Sequence, residues 1–480
     1  MDLPRTLAMG CVLALLMVAV PASARGQAFD DLAAGVRQFV SAPERVIALT
    51  SVRVIDGTGA APRENQTVII ENGRIAAIGP AATTRPPAGA RIIELEGHTV
   101  FPGIVGMHNH TFYTTSFGRS VQLNFSAPRL YLGTGVTTIR TTGSMSPYSE
   151  LNLKRSIAEG QTPGPRMHVT GPYITGEGAG GGMHGVATAE DARRVVAYWA
   201  EEGATWFKFY TLISRDAMKA AIDEAHRRGV KLTGHLCSVG YREAVALGID
   251  NLEHGLFANS EYDENKEPDR CPATMGASLR NLDIGSQPVR TTLEEMVRNN
   301  VAMTSTLAVY ELSVPGRPPL EQRMLDAMSE ETRNEYLATR RRIEENPNAG
   351  RSLDVLHKGM EYERQFVSLG GLLAAGVDPT GNGGALPGFG DQRNLELLVE
   401  AGFTPVEALR IMTLNGAKVL GVDDDLGSVE AGKIADLVVV RGNPAATPGD
   451  IRNVIMVFKD GVGYDPDRLI ESVRGTVGVR

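Results

Sequence analysis

Apolar positions follow two rhythms along this chain. From Val46 the rhythm is that of short strands. Val46 to Ile55, Thr67 to Glu71 and Arg74 to Ile78 are rich in β-branched residues, and Asn72-Gly73 between the last two is a strong hairpin signal. The same texture returns at Leu437 to Arg441 and Val454 to Lys459. Two β-rich segments flanking a long middle predict one small β-sandwich domain built from both chain ends, residues 46–99 and 421–465.

Between them, residues 100–420 alternate short apolar runs with helical periodicity. The runs are Val100 to Met107, Val136 to Arg140, Met167 to Gly171, Thr205 to Tyr210, Val230 to Gly234, Asp250 to His254, Val301 to Thr306 and Leu372 to Asp378. Thr188 with Asp191 opens one helix as a capping box, followed by Ala192, Val195, Val196 and Trp199 at helical spacing. Met218, Ala221, Ile222 and Ala225 mark the next, which Gly229 ends. Thr404-Pro405-Val406-Glu407 opens another with proline at its first position. Such alternation predicts an α/β fold, a closed parallel (β/α)8 TIM barrel; an open doubly wound sheet is the alternative. Two long connections, Gly255 to Asn300 and Leu307 to Val355, follow the sixth and seventh runs. A barrel would set them over its C-terminal mouth as substrate-shaping lids.

The first 24 residues stand outside this pattern. Arg5, an apolar stretch from Leu7 to Val20 and Pro21-Ala22-Ser23-Ala24 describe a secretory signal peptide with cleavage after Ala24, an uncleaved anchor being the alternative. Cys11 lies too early for a lipoprotein site. The expectation is a secreted or periplasmic protein with no stable membrane insertion after cleavage. Residues 25–45 read as an N-terminal extension and 466–480 as a tail. Beyond the leader only Cys237 and Cys271 remain. They make no disulfide framework, Cys237 looks buried at a strand end, and a single bridge between them is left open. The net charge of -8 gives no reason to expect nucleic acid. Arg340-Arg341-Arg342, followed by Glu344 and Glu345, reads as a solvated helix face.

The candidate chemistry sits at strand ends. His108 and His110 are two apart on a strand, so both imidazoles point to one side and can share a metal. With nine histidines in the chain, an H-x-H pair alone is a weak signal. Lys208 interrupts Trp206-Phe207-Lys208-Phe209-Tyr210, where a lone buried ammonium is costly; a lysine facing solvent is the bland reading. Once carbamylated by carbon dioxide, such a lysine carries two oxygens able to bridge two cations. His235 and His254 end the fifth and sixth runs, and Asp378 ends the eighth. Taken singly, each histidine is more often a satisfied core residue. Six such residues at C-terminal strand ends, where barrels carry their chemistry, point to one site. Gly176 to Gly181 matches G-x-G-x-x-G but opens no helix directly, so it reads as a loop. Gly381 to Gly390 reads as another mouth loop. His98, His168, His226 and His357 are given no role.

These residues resemble the amidohydrolase superfamily, in particular the branch of imidazolonepropionase-like proteins, Xaa-Pro dipeptidase (prolidase)-like carboxypeptidases and ochratoxin-hydrolysing amidases. The resemblance spans about Val46 to Lys459. It includes Phe101-Pro102-Gly103 leading into H-x-H and the return segment Gly427-Ser428-Val429-Glu430-Ala431-Gly432-Lys433-Ile434-Ala435-Asp436-Leu437. It implies two divalent metals, zinc or else manganese, cobalt or nickel. His108, His110 and Asp378 would hold one, His235 and His254 the other, and carbamylated Lys208 would bridge them. A hydroxide bridging the metals would attack an amide carbonyl of a dipeptide or N-acyl amino acid, with Asp378 as proton shuttle. His184 would touch substrate or the tetrahedral intermediate, and Tyr210 would hold the substrate carboxylate. The resemblance also implies a homo-oligomer. A lactone, cyclic amide or phosphoester would suit the same site, and a non-catalytic assembly protein would share the fold. Two departures from the pattern are Gly106, where relatives carry aspartate, and Arg140-Thr141, where they carry Arg-Asp.

Overall fold

A computed structural model describes residues 28–114, 119–346, 351–379 and 384–478. The leader expectation, and residues 381–383 of the predicted glycine-rich mouth loop, lie outside them. Eight parallel strands form the centre: β1 (Ile104–Asn109), β2 (Val136–Thr141), β3 (Thr170–Gly176), β4 (Trp206–Phe209), β5 (Lys231–Gly234), β6 (Asn251–Glu253), β7 (Ala302–Ser305) and β8 (Leu373–Ala375). β1 and β2 pair in one sheet, while β3 to β8 pair in order in another. Hydrogen bonds span both gaps. Asp378 N donates to His108 O at 2.7 Å, and Ser144 N donates to Gly171 O at 3.1 Å. The arrangement is barrel-like, with extra sheets.

The approach of β8 to β1 depends on Gly376, where an added Cβ would lie 2.0 Å from the His108 nitrogen. A side chain there would push the two site-bearing strand ends apart.

Two predicted runs are each shared between sheets. Val100 to Met107 divides at Gly103, where a Cβ would strike the Thr137 side chain. His98–Pro102 belongs to the sheet made from the chain ends, and Ile104–Asn109 is β1. Met167 to Gly171 likewise divides, with Arg166–His168 beside β2 and β3 running on to Gly176. Period alone could not find these breaks, because both halves are equally apolar and buried.

The strands from the chain ends join one nine-stranded sheet. Its hairpin turns at Asn72 and Gly73, both with positive φ (49° and 85°), as a two-residue turn requires. Ile47, Leu49, Val68, Ile75, Val100, Leu437, Val439 and Phe458 form its core. The N-terminal extension contributes Val40–Ala42, which pairs with Val462–Tyr464. The capping signals hold: Thr188 and Thr404 close capping boxes on Ala189–Glu201 and Pro405–Met412. Arg215–Arg227 ends before Gly229, which takes a φ of 71°. Arg341 and Arg342 are exposed on the helix Glu330–Glu345, while Arg340 is half-buried against Pro318 O. Gly176 ends a strand and opens no helix. Among the described residues no helix is long and apolar enough to cross a membrane.

The long connections carry their own helices: Met275–Asn281 and Gln287–Arg298 in the first, Leu307–Glu311, Gln322–Ala327 and Glu330–Glu345 in the second. The Cys237–Cys271 pairing, open from sequence, is made, with the Cα atoms 4.8 Å apart. Burial of Cys237 does not oppose it, because the connection folds back onto that strand end. The bridge ties the segment after β5 to the connection after β6. Replacing both cysteines with serine should cost about 2–4 kcal/mol of stability by freeing this loop in the unfolded chain. Equilibrium guanidinium denaturation checks this; unchanged stability would count against the bridge.

Candidate metal centre

All six predicted ligand positions converge at the C-terminal ends of the strands. His108 and His110 leave β1 on one face. His110 Nε2 lies 3.1 Å from Asp378 Oδ1, and His108 Nε2 lies 3.5 Å from the same oxygen. The ligand atoms of His108, His110 and Asp378 lie within 4.8 Å of one another. Lys208 Nζ, from β4, is 3.1 Å from His108 Nε2. The His254 ring packs 4.5 Å from both the His108 and His235 rings, centroid to centroid. The side chains of His108, His110, Lys208 and His254 are buried, His235 is partly exposed, and the Asp378 carboxylate is mostly buried.

The electrostatics suit a cation. Burial lowers the pKa of all four histidines, to about 4 for His110 and about 3 for His235, so neutral imidazoles face the site. Burial alone would raise the Asp378 carboxyl, but His108, His110 and His254 outweigh it and hold it well below the usual range. Burial brings Lys208 down to about 8, against the pull of Asp378 and Glu253.

The donor set also fits a metal in detail. Among the described residues, His110 Nδ1 and His254 Nε2 are buried with no hydrogen-bond partner. Unpartnered buried nitrogens are costly unless something binds them. His254 Nδ1 is 2.7 Å from Thr306 Oγ1, which orients the ring and leaves Nε2 open. His254 and Asp378 both take left-handed φ, 69° and 50°. That conformation costs non-glycine residues roughly 1–2 kcal/mol and turns both side chains off the ends of their strands.

Several working residues escaped the sequence reading. Glu253 Oε2 is 2.7 Å from His108 Nδ1, and its other oxygen pairs with Arg140. Thr233 and Asn251 also donate to Glu253. Burial opposes this carboxylate, but Arg140 and then His108 bring it down to about 2. It fixes the His108 ring with Nδ1 as donor and Nε2 toward the site. A signal was present: Arg140 and Glu253 are opposite charges inside apolar strands, each costly alone. Asn109 explains Gly106. A Cβ at Gly106 would lie 2.1 Å from Asn109 Nδ2, so the carboxamide fills the space an aspartate would need. Asn109 Nδ2 donates to Asp391, and Asn109 Oδ1 accepts from Val377 N.

The two auxiliary candidates fare differently. Tyr210 packs 4.8 Å from the His235 ring and 5.5 Å from Tyr173, at the edge of the cluster. Burial, then Asp378, raises its hydroxyl to about 12. His184 is exposed on the short strand His184–Val186 beside β3, and the cluster's hydrogen bonds and ring contacts do not include it.

Histidines and an aspartate gathered where parallel strands end make a candidate metal site. The Amidohydrolase family model matches residues 99–267 and 320–463. The chain belongs to this family. An uncharacterized Mycobacterium tuberculosis protein is 28% identical over 184 residues, 36% of this chain and 49% of that one. The chain thus spans about half the length of the curated relatives it matches first. Among solved structures, a Bifidobacterium longum protein assigned as a prolidase has a TM-score of 0.63 at 26% identity, covering 89% of this chain and 99% of that one. A Xaa-Pro dipeptidase with methionine bound in its active site superposes with a TM-score of 0.66 at 20% identity, covering 88% of this chain and all of the other. At that identity the likeness is one of fold.

Glu253→Leu should destabilise the protein by about 3–5 kcal/mol, because it strands Arg140 in the interior. Arg140→Met/Glu253→Leu should lose clearly less. Denaturant titration of both variants decides; equal losses would mean that packing, not the charge pair, matters here.

Proposed function

We propose that the protein is a binuclear amidohydrolase that releases a C-terminal amino acid from a dipeptide or N-acyl amino acid. The observation that carries this is the convergence of His108, His110, Lys208, His235, His254 and Asp378 in one buried cluster with two unpartnered imidazole nitrogens. His108, His110 and Asp378 would hold one divalent ion and His235 and His254 a second. Lys208, carbamylated by carbon dioxide, would join both. Zinc suits these donors best, with manganese, cobalt or nickel as substitutes. When bound, such ions supply an acidified water and polarise a carbonyl.

The chain's own residues then divide the work. Asp378, ionised and within reach of both β1 histidines, accepts a proton from the attacking water and returns it to the leaving nitrogen. Glu253 and Thr306 keep the His108 and His254 rings from turning. Tyr210 holds the substrate's free carboxylate through its hydroxyl, which stays protonated at neutral pH. His184 meets substrate from the rim. The 20–26% identity to the two solved dipeptidase-like structures agrees with this substrate class without naming a side chain.

In this reading residues 100–420 close into a (β/α)8 barrel, and the nine-stranded sheet folds over as a small β-sandwich. Residues 1–24 direct export to the periplasm or exterior and are removed after Ala24. The Cys237–Cys271 bridge fits an oxidising compartment. The mature protein associates as a homo-oligomer around a small substrate.

Lys208→Ala should lose nearly all activity and most of the second equivalent of metal, with partial rescue by short carboxylic acids. Full activity without rescue would exclude the carbamate. The substrate is tested by assaying metal-loaded protein on N-acyl amino acids and on Xaa-Pro, Xaa-Arg and Xaa-Phe dipeptides, each with its C-terminal amide. Free acids should be cleaved much faster, and Tyr210→Phe should narrow the gap by raising KM. Equal rates on acids and amides would contradict the carboxylate role.

A further inference from the structure

Four rings run across the mouth of the strands. Tyr210, after β4, packs on His235; His235 packs on His254; His254 packs 5.5 Å from Tyr310, on the helix Leu307–Glu311 after β7. Tyr310 is stacked on Phe257, with centroids 4.1 Å apart. Over this stacked pair lies the guanidinium of Arg351, its Cζ 4.8 Å from the Phe257 ring and 4.9 Å from the Tyr310 ring. Its backbone is fixed, with Arg351 N donating to Ser313 O at 2.7 Å.

Arg351 has no carboxylate partner among the described residues. Its Nε is buried without an acceptor. Besides burial, the groups acting on it are the Tyr310 hydroxyl and then another cation, Arg280, from the connection after β6. Two other partly buried arginines of the same long connection are paired. Arg317 pairs with Glu311 and Glu400, and Arg323 pairs with Glu321. A half-buried guanidinium with a donor unpaired among the described residues and a flat aromatic seat is an anion receptor in form. Its planar fork matches a carboxylate through two parallel hydrogen bonds.

We propose that Arg351 binds a carboxylate carried on the acyl side of the substrate, so that the preferred substrates are amides of a dicarboxylic acyl group or acidic residue. The proposal rests on the amidohydrolase reading above. There Tyr210 takes the carboxylate of the leaving amino acid at the β4 end of the ring chain. Arg351 stands at the β7 end, beyond His254, where the other half of the substrate lies.

The test compares N-succinyl-L-phenylalanine with N-butanoyl-L-phenylalanine, which differ in a terminal carboxylate against a methyl. Calorimetric binding to the full metal-loaded protein should favour the succinyl compound at least about tenfold, the scale of one charge-assisted hydrogen bond. Arg351→Gln should abolish that preference by weakening the succinyl compound alone, and Arg351→Lys should keep part of it. A wild-type protein without the preference overturns the proposal. So does Arg351→Gln that keeps the preference, or that weakens both compounds equally, as a packing role would. Hydrolysis of the same pair is followed separately. Cleavage of neither would tell against the reaction assigned above, while the binding comparison would still decide the role of Arg351.

Discussion

The buried ion pair between Arg140 and Glu253 is the constraint on which the rest of the metal end depends. Both side chains are fully enclosed by strands, so neither charge can be hydrated. Isolated, either would cost several kcal/mol; together, with Thr233 and Asn251 completing the acceptor set of Glu253, they are tolerated. The pair gives little net stability by itself. What it provides is a carboxylate held at one height in the interior, with an oxygen left over for His108 Nδ1. One ring is thereby fixed, and Lys208 and Asp378 close on its other nitrogen. Geometry at the mouth is thus inherited from a polar layer below it.

The same end of the fold concentrates its backbone strain. His254 and Asp378 leave their strands through left-handed φ, and Gly376 lets β8 approach β1 closely enough for Asp378 N to donate to His108 O. These are uncomfortable solutions that the surrounding hydrogen bonds impose. Strain of this kind persists where neighbours over-determine the conformation. Here the neighbours are the strands themselves.

Much of this was legible in the sequence. The eight runs, the capping boxes at Thr188 and Thr404, and the Asn72-Gly73 hairpin are local signals, and local physics decides them. The candidate ligand positions were legible because polar residues ending apolar strands are expensive enough to be conspicuous. What escaped was non-local. Gly103 splits one run between two sheets because of Thr137, far along the chain. The Cys237–Cys271 bridge depends on a connection folding back. Glu253 stood beside His254 in the sequence, yet its meaning lay in Arg140, 113 residues away. Gly106 looked like a missing aspartate until Asn109 was seen to occupy its space.

That last substitution bears on how the site can diversify. In β1, Asn109 faces away from the metal cluster, toward Asp391 and the Val377 backbone, and so braces β8 from behind. The ligand set can then be kept while the strand-internal chemistry beneath it changes. On the proposed reading, selectivity is drawn from elsewhere. Phe257 lies in the connection after β6 and Tyr310 and Arg351 in the one after β7, and a disulfide pins the first of these connections near His235. The strands that carry the candidate donors leave little room for exchange, since those side chains pack on one another. Long connections with helices of their own can exchange side chains at the rim without disturbing that network. On the proposed reading, the reaction class lies in the strands, and the choice of substrate in the two segments that follow β6 and β7.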